Sequence, residues 1–381
     1  MVLEDRKIPI LGSKLYFSSP WPVRLLQSLL MFLVLGLGVS VICMYMTSGV
    51  RLHHPSAIAR TNIILPCFDD PLSLRDWMKP PSTLMHQMND SELLWRASFA
   101  PRRKGYPFER VPKIAFMFMT KGPLPLAPLW ERFFNGHQTR FSIYLHTLPS
   151  YVANFSSKSV FYNRQIPSQG VEWGTMSMCD AERRLLANAL LDLENEWFIL
   201  LSESCIPLHS FNIVYLYVAK SRYSFMGAFD EDSPMGRGRY DRNMQPEIKL
   251  EQWRKGPQWF EVNRILAINI VEDTKYYPKF RDFCRPACYS DEHYFPTMLT
   301  IQAPHLLANR SVTWTDWSRG GAHPATFGKS DITVEFLKKI IEQKSCLYNN
   351  QPTSLCYLFA RKFAPSSLTP LLSLSSNVLG Y

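Results

Sequence analysis

One segment of the sequence places three ionisable side chains directly after two cysteines. It contains Cys284 and Cys288 and then Asp291, Glu292 and His293 in succession. A carboxylate held at the start of a helix can act as a general base, which removes a proton from a reacting group. The other role open to Asp291 or Glu292 is that of a helix cap that faces the positive end of the helix dipole. The residue types alone leave both roles open.

A second stretch, residues 222–259, combines cations with aromatic rings. Aromatic rings stack on the faces of sugars, and guanidinium groups bind phosphates through paired hydrogen bonds. The stretch therefore predicts contacts with a sugar or an acceptor, and a solvated basic loop is the alternative interpretation. The candidate residues are Arg239, Tyr240, Trp253, Arg254 and Trp259.

Two blocks near the C-terminus have the composition of a diphosphate pocket. The first places Arg319 beside a pair of glycines, and the second places Arg361 and Lys362 inside the apolar run 358–363. Cations of this kind balance the charge of phosphates. The dibasic pair could instead complement the dipole at the end of a helix. The first block also supplies Asp316 and Trp317 as candidates for sugar or acceptor contacts.

An acidic triplet follows the predicted strand 224–229. Asp230 and Asp232 form a DxD pattern, which can hold Mn²⁺ or Mg²⁺ beside a sugar nucleotide. Three acidic residues in a turn also arise by chance. The motifs GxxxxGK[ST], HExxH, GxSxG and GxGxxG after a strand are absent, which excludes the common P-loop NTPases, zinc proteases, serine hydrolases and dinucleotide-binding enzymes.

Buried strands alternate with helices in the part of the chain that must position these residues. This alternation predicts an α/β sheet with helices on both faces, and ligands of such sheets bind at the carboxyl ends of the strands. Apolar runs predict strands at 114–119, 141–145, 197–201 and 224–229. Helical spacing predicts helices at 126–134, from Asp180 onward and at 208–219, and Asn89 with Glu92 predicts a capping box for a short helix.

The N-terminal region contains a predicted membrane anchor. Segment 25–46 is almost entirely apolar, and no charged residue lies between Arg24 and Arg51. A helix of this length crosses a hydrocarbon core of about 30 Å, and the segment is longer than the apolar part of a typical signal peptide. The alternative is a cleaved or buried segment. The basic tail before the segment predicts a cytosolic N-terminus.

The predicted organisation is that of a type II membrane protein with a luminal domain. The 381 residues are 46% hydrophobic, enough for a sizeable core, and the net charge of +10 favours phosphate-bearing or acidic partners. Because the domain faces the lumen, nucleic acid is not expected as a partner. The predicted segments are a cytosolic tail (1–24), an anchor (25–46), a proline-rich stem (47–112), a catalytic domain (113–365) and a C-terminal tail that reads as loose (366–381).

Cysteine spacing and sequons agree with an oxidising, luminal location. Cys284 and Cys288 lie close together in the sequence, as do Cys346 and Cys356, so each pair is a candidate disulfide. A zinc site is the rival interpretation, but the sequence offers no CxxC or spaced histidine pair to support it. The three candidate glycosylation sites are Asn89, Asn154 and Asn309.

Five motifs together resemble the Core-2/I-branching β-1,6-N-acetylglucosaminyltransferase family (glycosyltransferase family 14), in its plant branch. The resemblance covers about residues 112–365. The motifs are Gly236–Tyr240, Trp253–Phe260, Asp291–Tyr294, Thr313–Gly321 and Leu358–Phe363. The resemblance implies a GT-A-like α/β fold and an inverting transfer from a UDP-sugar without a metal or another cofactor.

The resemblance also implies roles for individual residues. Glu292 matches the family's catalytic base and Lys362 its diphosphate lysine, with Arg361 beside it. The family's diphosphate arginine is absent from its expected position, so Arg319 is a candidate substitute. His146 replaces an acidic residue that closes the second strand in animal members, and we expect it near the donor.

The sequence therefore predicts a Golgi glycosyltransferase that acts on cell-wall polysaccharide or glycoprotein glycans. UDP-GlcNAc is one candidate donor, and hexosyl, pentosyl and glucuronosyl donors are others. One rival hypothesis is a membrane-anchored protein that binds glycans without catalysis on a decayed transferase fold. Another is a metal-dependent transferase that uses Asp230 and Asp232.

Overall fold

The computed structural model describes residues 21–49, 74, 79–103, 105–285, 288–342 and 345–381. The chain divides into two compact units, residues 1–70 and 71–381. The first unit contains helix α1 (Trp21–Gly49). Its 20 residues Leu25–Met44 have a mean hydropathy of 2.4 and expose their side chains, so by length and composition α1 can cross a membrane.

The second unit contains a central sheet with helices on both faces. Its helices are α2 (Asp90–Ser98), α3 (Ala127–Phe134), α4 (Met176–Leu190), α5 (Phe211–Ala219), α6 (Arg264–Glu272), α7 (Tyr277–Phe283), α8 (Ser290–Gln302), α9 (Val334–Ile341) and α10 (Leu368–Leu374). Its strands are β1 (Lys113–Met119), β2 (Phe141–His146), β3 (Asn195–Ser202), β4 (Ile206–Pro207), β5 (Glu261–Asn263), β6 (Thr313–Thr315), β7 (Cys346–Tyr348), β8 (Gln351–Thr353) and β9 (Phe359–Arg361).

The strand order in the central sheet is β2-β1-β3-β5. β1 pairs in parallel with β2 and β3, and β5 pairs antiparallel with β3. Alternate residues point to opposite faces, so Phe116 and Phe118 pack with α3 and α5, whereas Ala115 and Met117 pack with α4, α6 and α8. The predicted α/β fold is confirmed, and its parallel strands end at one edge of the sheet.

Two predicted elements differ from those observed. α4 begins at Met176, and Asp180, the predicted cap, lies inside the helix and accepts a hydrogen bond from the Tyr277 hydroxyl at 2.6 Å. The predicted strand 224–229 forms only isolated bridges. A side chain at Gly256 would place a Cβ 1.8 Å from the Gly227 carbonyl oxygen, so the two backbones meet here at a point where only glycine fits.

The segments that precede and follow the sheet in the sequence also pack against the core. The capping box between Asn89 and Glu92 is present as predicted, and Leu93 of α2 is buried in the core. The C-terminal residues, which read as a loose tail in the sequence, form α10 and the turn after it. Leu371 and Leu379 are 0% and 2% exposed in the core because their spacing places them on one face of the helical segment.

Candidate active site

Glu292 lies in the first turn of α8. Tyr289, directly before the helix, has a left-handed backbone (φ 55°), and a disulfide joins Cys284 to Cys288 just upstream. The backbone carbonyl of Glu292 accepts a hydrogen bond from the Gly256 N–H at 2.8 Å. These contacts fix the start of α8 and leave the Glu292 side chain 29% exposed.

Arg239 is the ionic partner of Glu292. Its Nη1 donates a hydrogen bond to Glu292 Oε2 at 2.8 Å, and its guanidinium lies 4.3 Å from the centre of the Tyr289 ring. A charge-assisted hydrogen bond and a cation–π contact thus hold one guanidinium. The pair orients the Glu292 carboxylate.

Asp291 is buried, unlike its neighbour Glu292. It is 5% exposed, and burial, followed by the charge of Glu292, raises the pKa of its carboxyl to about 6. Burial and then Asp291 also raise the pKa of Glu182 well above its usual range, and Gln258 Nε2 donates to Glu182 at 2.7 Å. Two adjacent acids on one helix turn therefore have different environments, and Glu292 is the one open to a reactant.

A cavity of about 360 Å³, here called the strand-end cavity, lies where the parallel strands end. It reaches the carboxyl ends of β1, β2 and β3, where ligands of such sheets bind. Its polar lining residues are Thr120, Lys121, His146, Thr147, Ser202, Glu203, Gln258, Asp291, Glu292, Thr315, His323, Arg361 and Lys362. Six of the predicted site residues, from separate parts of the sequence, line it: His146, Trp259, Glu292, Trp317, Arg361 and Lys362.

A small sheet brings Arg361 and Lys362 to this cavity. β9 pairs with β4 and β6, and Arg361 is its last residue. The Arg361 guanidinium lies 4.0 Å from the Trp259 ring centre, and burial lowers its pKa. Burial and then the charge of Arg361 lower the pKa of Lys362. Together with Lys121, these cations form a positive cluster that suits a phosphate group.

A second cavity of about 1050 Å³, here called the outer cavity, also reaches Glu292. Aromatic and basic side chains line most of it, and both cavities share Trp173, Glu292, Trp317 and Ala322. The charged and aromatic lining residues are Trp173, Arg239, Tyr240, Asp241, Arg242, Lys255, Phe283, Arg285, Tyr289, Glu292 and Trp317. Glu292 thus lies at the junction of the two cavities.

His146 lines the strand-end cavity, where its imidazole is uncharged. It is 1% exposed, and Arg184 Nη1 contacts its Nε2 at 2.8 Å. Burial and then Arg184 lower the pKa of His146 to about 3. Arg319 lines neither cavity; it is exposed and lies 5.6 Å from the Phe327 ring centre. The structure therefore places Arg361, rather than Arg319, with Lys362.

Trp253 belongs to the core rather than to a sugar-binding surface. It is 1% exposed, stacks on Phe280 and His293 with ring centres 5.3 and 4.6 Å away, and donates its Nε1–H to the Gly236 carbonyl at 3.1 Å. Arg254 lines neither cavity either, because its Nη1 donates to the carbonyls of residues 251 and 253. Both residues support the loop that the outer cavity borders.

Three of the other predicted contact residues line a cavity, and the fourth shapes a turn beside one. Tyr240 lines the outer cavity, and its hydroxyl donates to the Ile248 carbonyl at 2.7 Å. Trp259 lines the strand-end cavity, but Arg361 covers its ring. Trp317 is 53% exposed and lines both cavities. The Asp316 carboxylate accepts the Ser318 N–H at 2.9 Å and shapes the turn beside Trp317.

Sequence reasoning missed Lys121 and Trp173. Lys121 follows β1, and a basic residue at the carboxyl end of a parallel strand is a signal that could have identified it. Trp173 is 49% exposed, and its ring centre lies 4.9 Å from that of Tyr289. Its loop has no sequence pattern that points to Glu292, so only the fold brings it there.

The acidic triplet lies outside both cavities. Both carboxylate oxygens of Asp230 accept hydrogen bonds from Arg237, each at 2.7 Å. Among the described residues, no group of three or more His, Cys, Asp or Glu side chains has a metal-binding arrangement. Asp230 is thus occupied by a protein cation, and Asp232 is exposed.

The two predicted disulfides are confirmed. The Cα atoms of Cys284 and Cys288 lie 5.3 Å apart, and those of Cys346 and Cys356 lie 5.8 Å apart. Cys67 lies outside the described residues, and Cys179 and Cys205 are buried thiols. The predicted glycosylation sites Asn89, Asn154 and Asn309 are all exposed, although Asn89 caps α2 and Asn309 Oδ1 accepts the Ala228 N–H at 2.7 Å.

The α/β sheet, the basic cavity at its strand ends and the carboxylate beside that cavity are features of a glycosyltransferase. Residues 114–341 match the model of the Core-2/I-branching enzyme family. The chain is also 37% identical over 309 residues to a protein of Oryza sativa subsp. japonica named Glycosyltransferase BC10, an alignment that covers 69% of this chain and 76% of the rice protein. The chain belongs to the Core-2/I-branching enzyme family.

Proposed function

We propose that this protein transfers a sugar from a UDP-sugar to a glycan acceptor, with inversion at the anomeric carbon and without a metal. The observation that carries the proposal is the position of Glu292 at the junction of the strand-end and outer cavities. One cavity then takes the donor and the other the acceptor, so a single carboxylate reaches both substrates.

The strand-end cavity is the proposed donor site. Transfer breaks the bond between the anomeric carbon and the diphosphate, which leaves with the electron pair and gains negative charge. Fixed cations stabilise such charge where it develops. Lys121, Arg361 and Lys362 line this cavity and supply that charge.

The outer cavity is the proposed acceptor site. Glu292 accepts the proton of an acceptor hydroxyl while that oxygen forms the new bond to the anomeric carbon. The hydroxyl attacks from the face opposite the diphosphate, so the configuration inverts. Arg239 holds the carboxylate in place, and the rings of Trp173, Tyr289 and Trp317 offer surfaces for acceptor sugars.

The ion pair between Asp230 and Arg237 supports a metal-independent mechanism. Both carboxylate oxygens of Asp230 bind Arg237, so a divalent cation would have to displace a bidentate ion pair. Cations of the strand-end cavity instead take the charge-balancing role. The metal-dependent transferase is the alternative that an EDTA experiment distinguishes.

The proposed location is the Golgi membrane, with α1 as a type II anchor and the catalytic unit in the lumen. The apolar helix and the basic residues that precede it support this orientation. Two disulfides in the second unit support an oxidising compartment. The proposed acceptors are therefore cell-wall polysaccharides or glycoprotein glycans.

A glycan-binding protein without catalysis is the second candidate. The position of Arg319 outside the strand-end cavity favours it, because the arginine expected to replace the family's diphosphate ligand does not reach the site. This candidate predicts that the folded protein binds glycans but no UDP-sugar.

Calorimetric titration of the full-length protein in detergent tests the proposal. UDP, UDP-GlcNAc, UDP-Xyl, UDP-GlcA and UDP-Gal are titrated in the presence of EDTA. Binding of UDP and of one UDP-sugar under these conditions is the expected result, and it identifies the donor. If the folded protein binds none of them, the proposal is wrong; recovery of binding with Mn²⁺ then selects the metal-dependent enzyme, and continued failure selects the glycan-binding protein.

A further inference from the structure

The outer cavity has more basic than acidic lining residues, although a sugar hydroxyl carries no charge. Four cations line it, Arg239, Arg242, Lys255 and Arg285, whereas its acidic lining residues are Asp241 and Glu292. The charge lies on the acceptor side of Glu292, because Arg242 and Arg285 do not line the strand-end cavity. The donor diphosphate therefore does not explain it.

Two of these cations are paired within the protein and two are not. Arg239 binds Glu292, and Lys255 binds Glu231 at 3.2 Å. Within the part of the chain that the structure describes, Arg242 and Arg285 have no carboxylate within 4.0 Å, and both side chains are exposed. Neither guanidinium is thus held in an ion pair, although the Asp282 carboxylate, which binds Arg281, also interacts electrostatically with Arg285.

The cavity also carries aromatic surfaces beside these cations. Trp173 and Tyr289 pack with ring centres 4.9 Å apart, and Trp317 exposes more than half of its surface. Aromatic faces bind sugar rings, and guanidinium groups bind carboxylates or sulfates through paired hydrogen bonds. The two features together match a glycan that bears acid groups rather than a neutral glycan or an acidic peptide.

We propose that the acceptor of this enzyme is an acidic glycan, whose carboxylate or sulfate binds Arg242 and Arg285 while its sugar rings pack on Trp173 and Trp317. The proposal rests on the proposed transferase function, because it assumes that the outer cavity holds the acceptor. It makes Arg242 and Arg285 determinants of acceptor choice, and neither takes part in the transfer of the proton or the sugar.

Binding of matched oligosaccharides to the full-length protein, saturated with UDP in detergent, tests this proposal. The probes are a hexagalacturonate, the neutral hexasaccharide made from it by reduction of its carboxylates, and a sulfated hexagalactan with its unsulfated parent. We expect at least one acidic probe to bind about tenfold tighter than its neutral partner, and the preference to shrink as salt rises. The two acidic probes distinguish a carboxylate ligand from a sulfate ligand.

Two variants test whether Arg242 and Arg285 cause the preference for acidic probes. The double variant Arg242→Gln/Arg285→Gln should reduce the preference to about twofold or less, because it removes both unpaired guanidinium groups. Arg103→Gln changes an exposed arginine outside both cavities and should keep the preference. Thermal unfolding and UDP titration confirm that each variant is folded.

Equal binding of acidic and neutral probes overturns the proposal, as does failure of both acidic probes to bind or a preference that survives in the double variant. In each of these outcomes UDP still binds, so the transferase function stands without the acidic acceptor. Failure of UDP to bind is a different result, which contradicts the transferase function itself.

Discussion

Arg239 and Glu292 form an ion pair at the junction of the two cavities, with Nη1 2.8 Å from Oε2. The residues are far apart in sequence, and the pair joins stretch 222–259, which contains Arg239, to the first turn of α8. The same guanidinium lies 4.3 Å from the centre of the Tyr289 ring, a second contact that holds it in place. One carboxylate oxygen is thus engaged, and Oε1 forms no hydrogen bond with the described residues, which leaves it to meet a substrate hydroxyl.

Removal of the Arg239 guanidinium should slow the reaction more than it weakens donor binding. We expect Arg239→Gln to lower kcat about 10- to 100-fold, because the carboxylate loses its orienting contact. UDP affinity should change less than about threefold, since Arg239 lines the outer cavity and not the strand-end cavity. Arg239→Lys should recover part of kcat, and steady-state kinetics beside UDP titrations would show this split. An unchanged kcat in Arg239→Gln would mean that Glu292 needs no ionic partner.

Lys362 should carry much of the affinity for the diphosphate. Lys362→Ala should weaken UDP binding about 10- to 100-fold, the value of one hydrogen bond to a charged group. Burial and Arg361 lower the pKa of Lys362, so the ammonium loses its proton at a lower pH than a free lysine. UDP affinity should therefore fall as pH rises from about 7 towards 10, and the part of this fall that comes from Lys362 should be absent in Lys362→Ala. Calorimetry over this range checks both effects, and an alanine variant with wild-type affinity contradicts the assignment.

Two tryptophans of the predicted sugar-contact set should respond in opposite ways. Trp253→Ala should lower the free energy of unfolding by about 3–5 kcal/mol, because it empties a fully packed site in the core. Trp317→Ala should leave the unfolding temperature unchanged and raise the acceptor KM about 2- to 10-fold, since the exposed ring borders both cavities. Thermal unfolding measures the loss of stability in Trp253→Ala, and transfer kinetics measure the loss of acceptor binding in Trp317→Ala. A stable Trp253→Ala protein with impaired acceptor binding would contradict the core assignment.

Glu261 of β5 should make stability depend on pH. Burial raises the pKa of its carboxyl to about 8, and Thr313 Oγ1 donates to its Oε1 at 3.1 Å. The folded protein keeps a proton that the unfolded chain releases, so the free energy of unfolding falls by up to about 1.4 kcal/mol per pH unit between about 4.5 and 8. Glu261→Gln should remove this slope and gain stability relative to wild type at about pH 8, whereas Glu109→Gln, on the surface, should not. Unfolding curves at several pH values check this; parallel wild-type and Glu261→Gln profiles would contradict it.

The sequence predicted the α/β sheet because β1 and β3 each contain a continuous apolar run, which indicates burial on both faces, and β2 is interrupted only by Ser142. It predicted the disulfides because their short spacing limits the choice of partner. Both features depend on residues close together in the sequence, so the sequence alone predicts them.

The parts of the site that depend on distant contacts could not be predicted. Trp253 and Trp317 look alike as sequence, but His293 and Phe280 enclose the first and solvent surrounds the second. Likewise, the pairing of Asp230 with Arg237 depends on a turn that brings a cation onto a candidate metal ligand. Burial by residues remote in sequence decides the first case, and the conformation of a surface turn decides the second.

Replacement of Glu292 by Gln tests the central claim most directly. The variant keeps the size of the side chain and loses the ability to accept a proton. Sugar transfer to cell-wall glycan fractions, with the UDP-sugar that the protein binds as the donor, should therefore fall by about 10²- to 10⁴-fold. UDP affinity measured by calorimetry in EDTA should stay within about twofold of wild type, because the cations of the strand-end cavity are intact. Transfer at the wild-type rate by Glu292→Gln would show that Glu292 is not the base and would contradict this account.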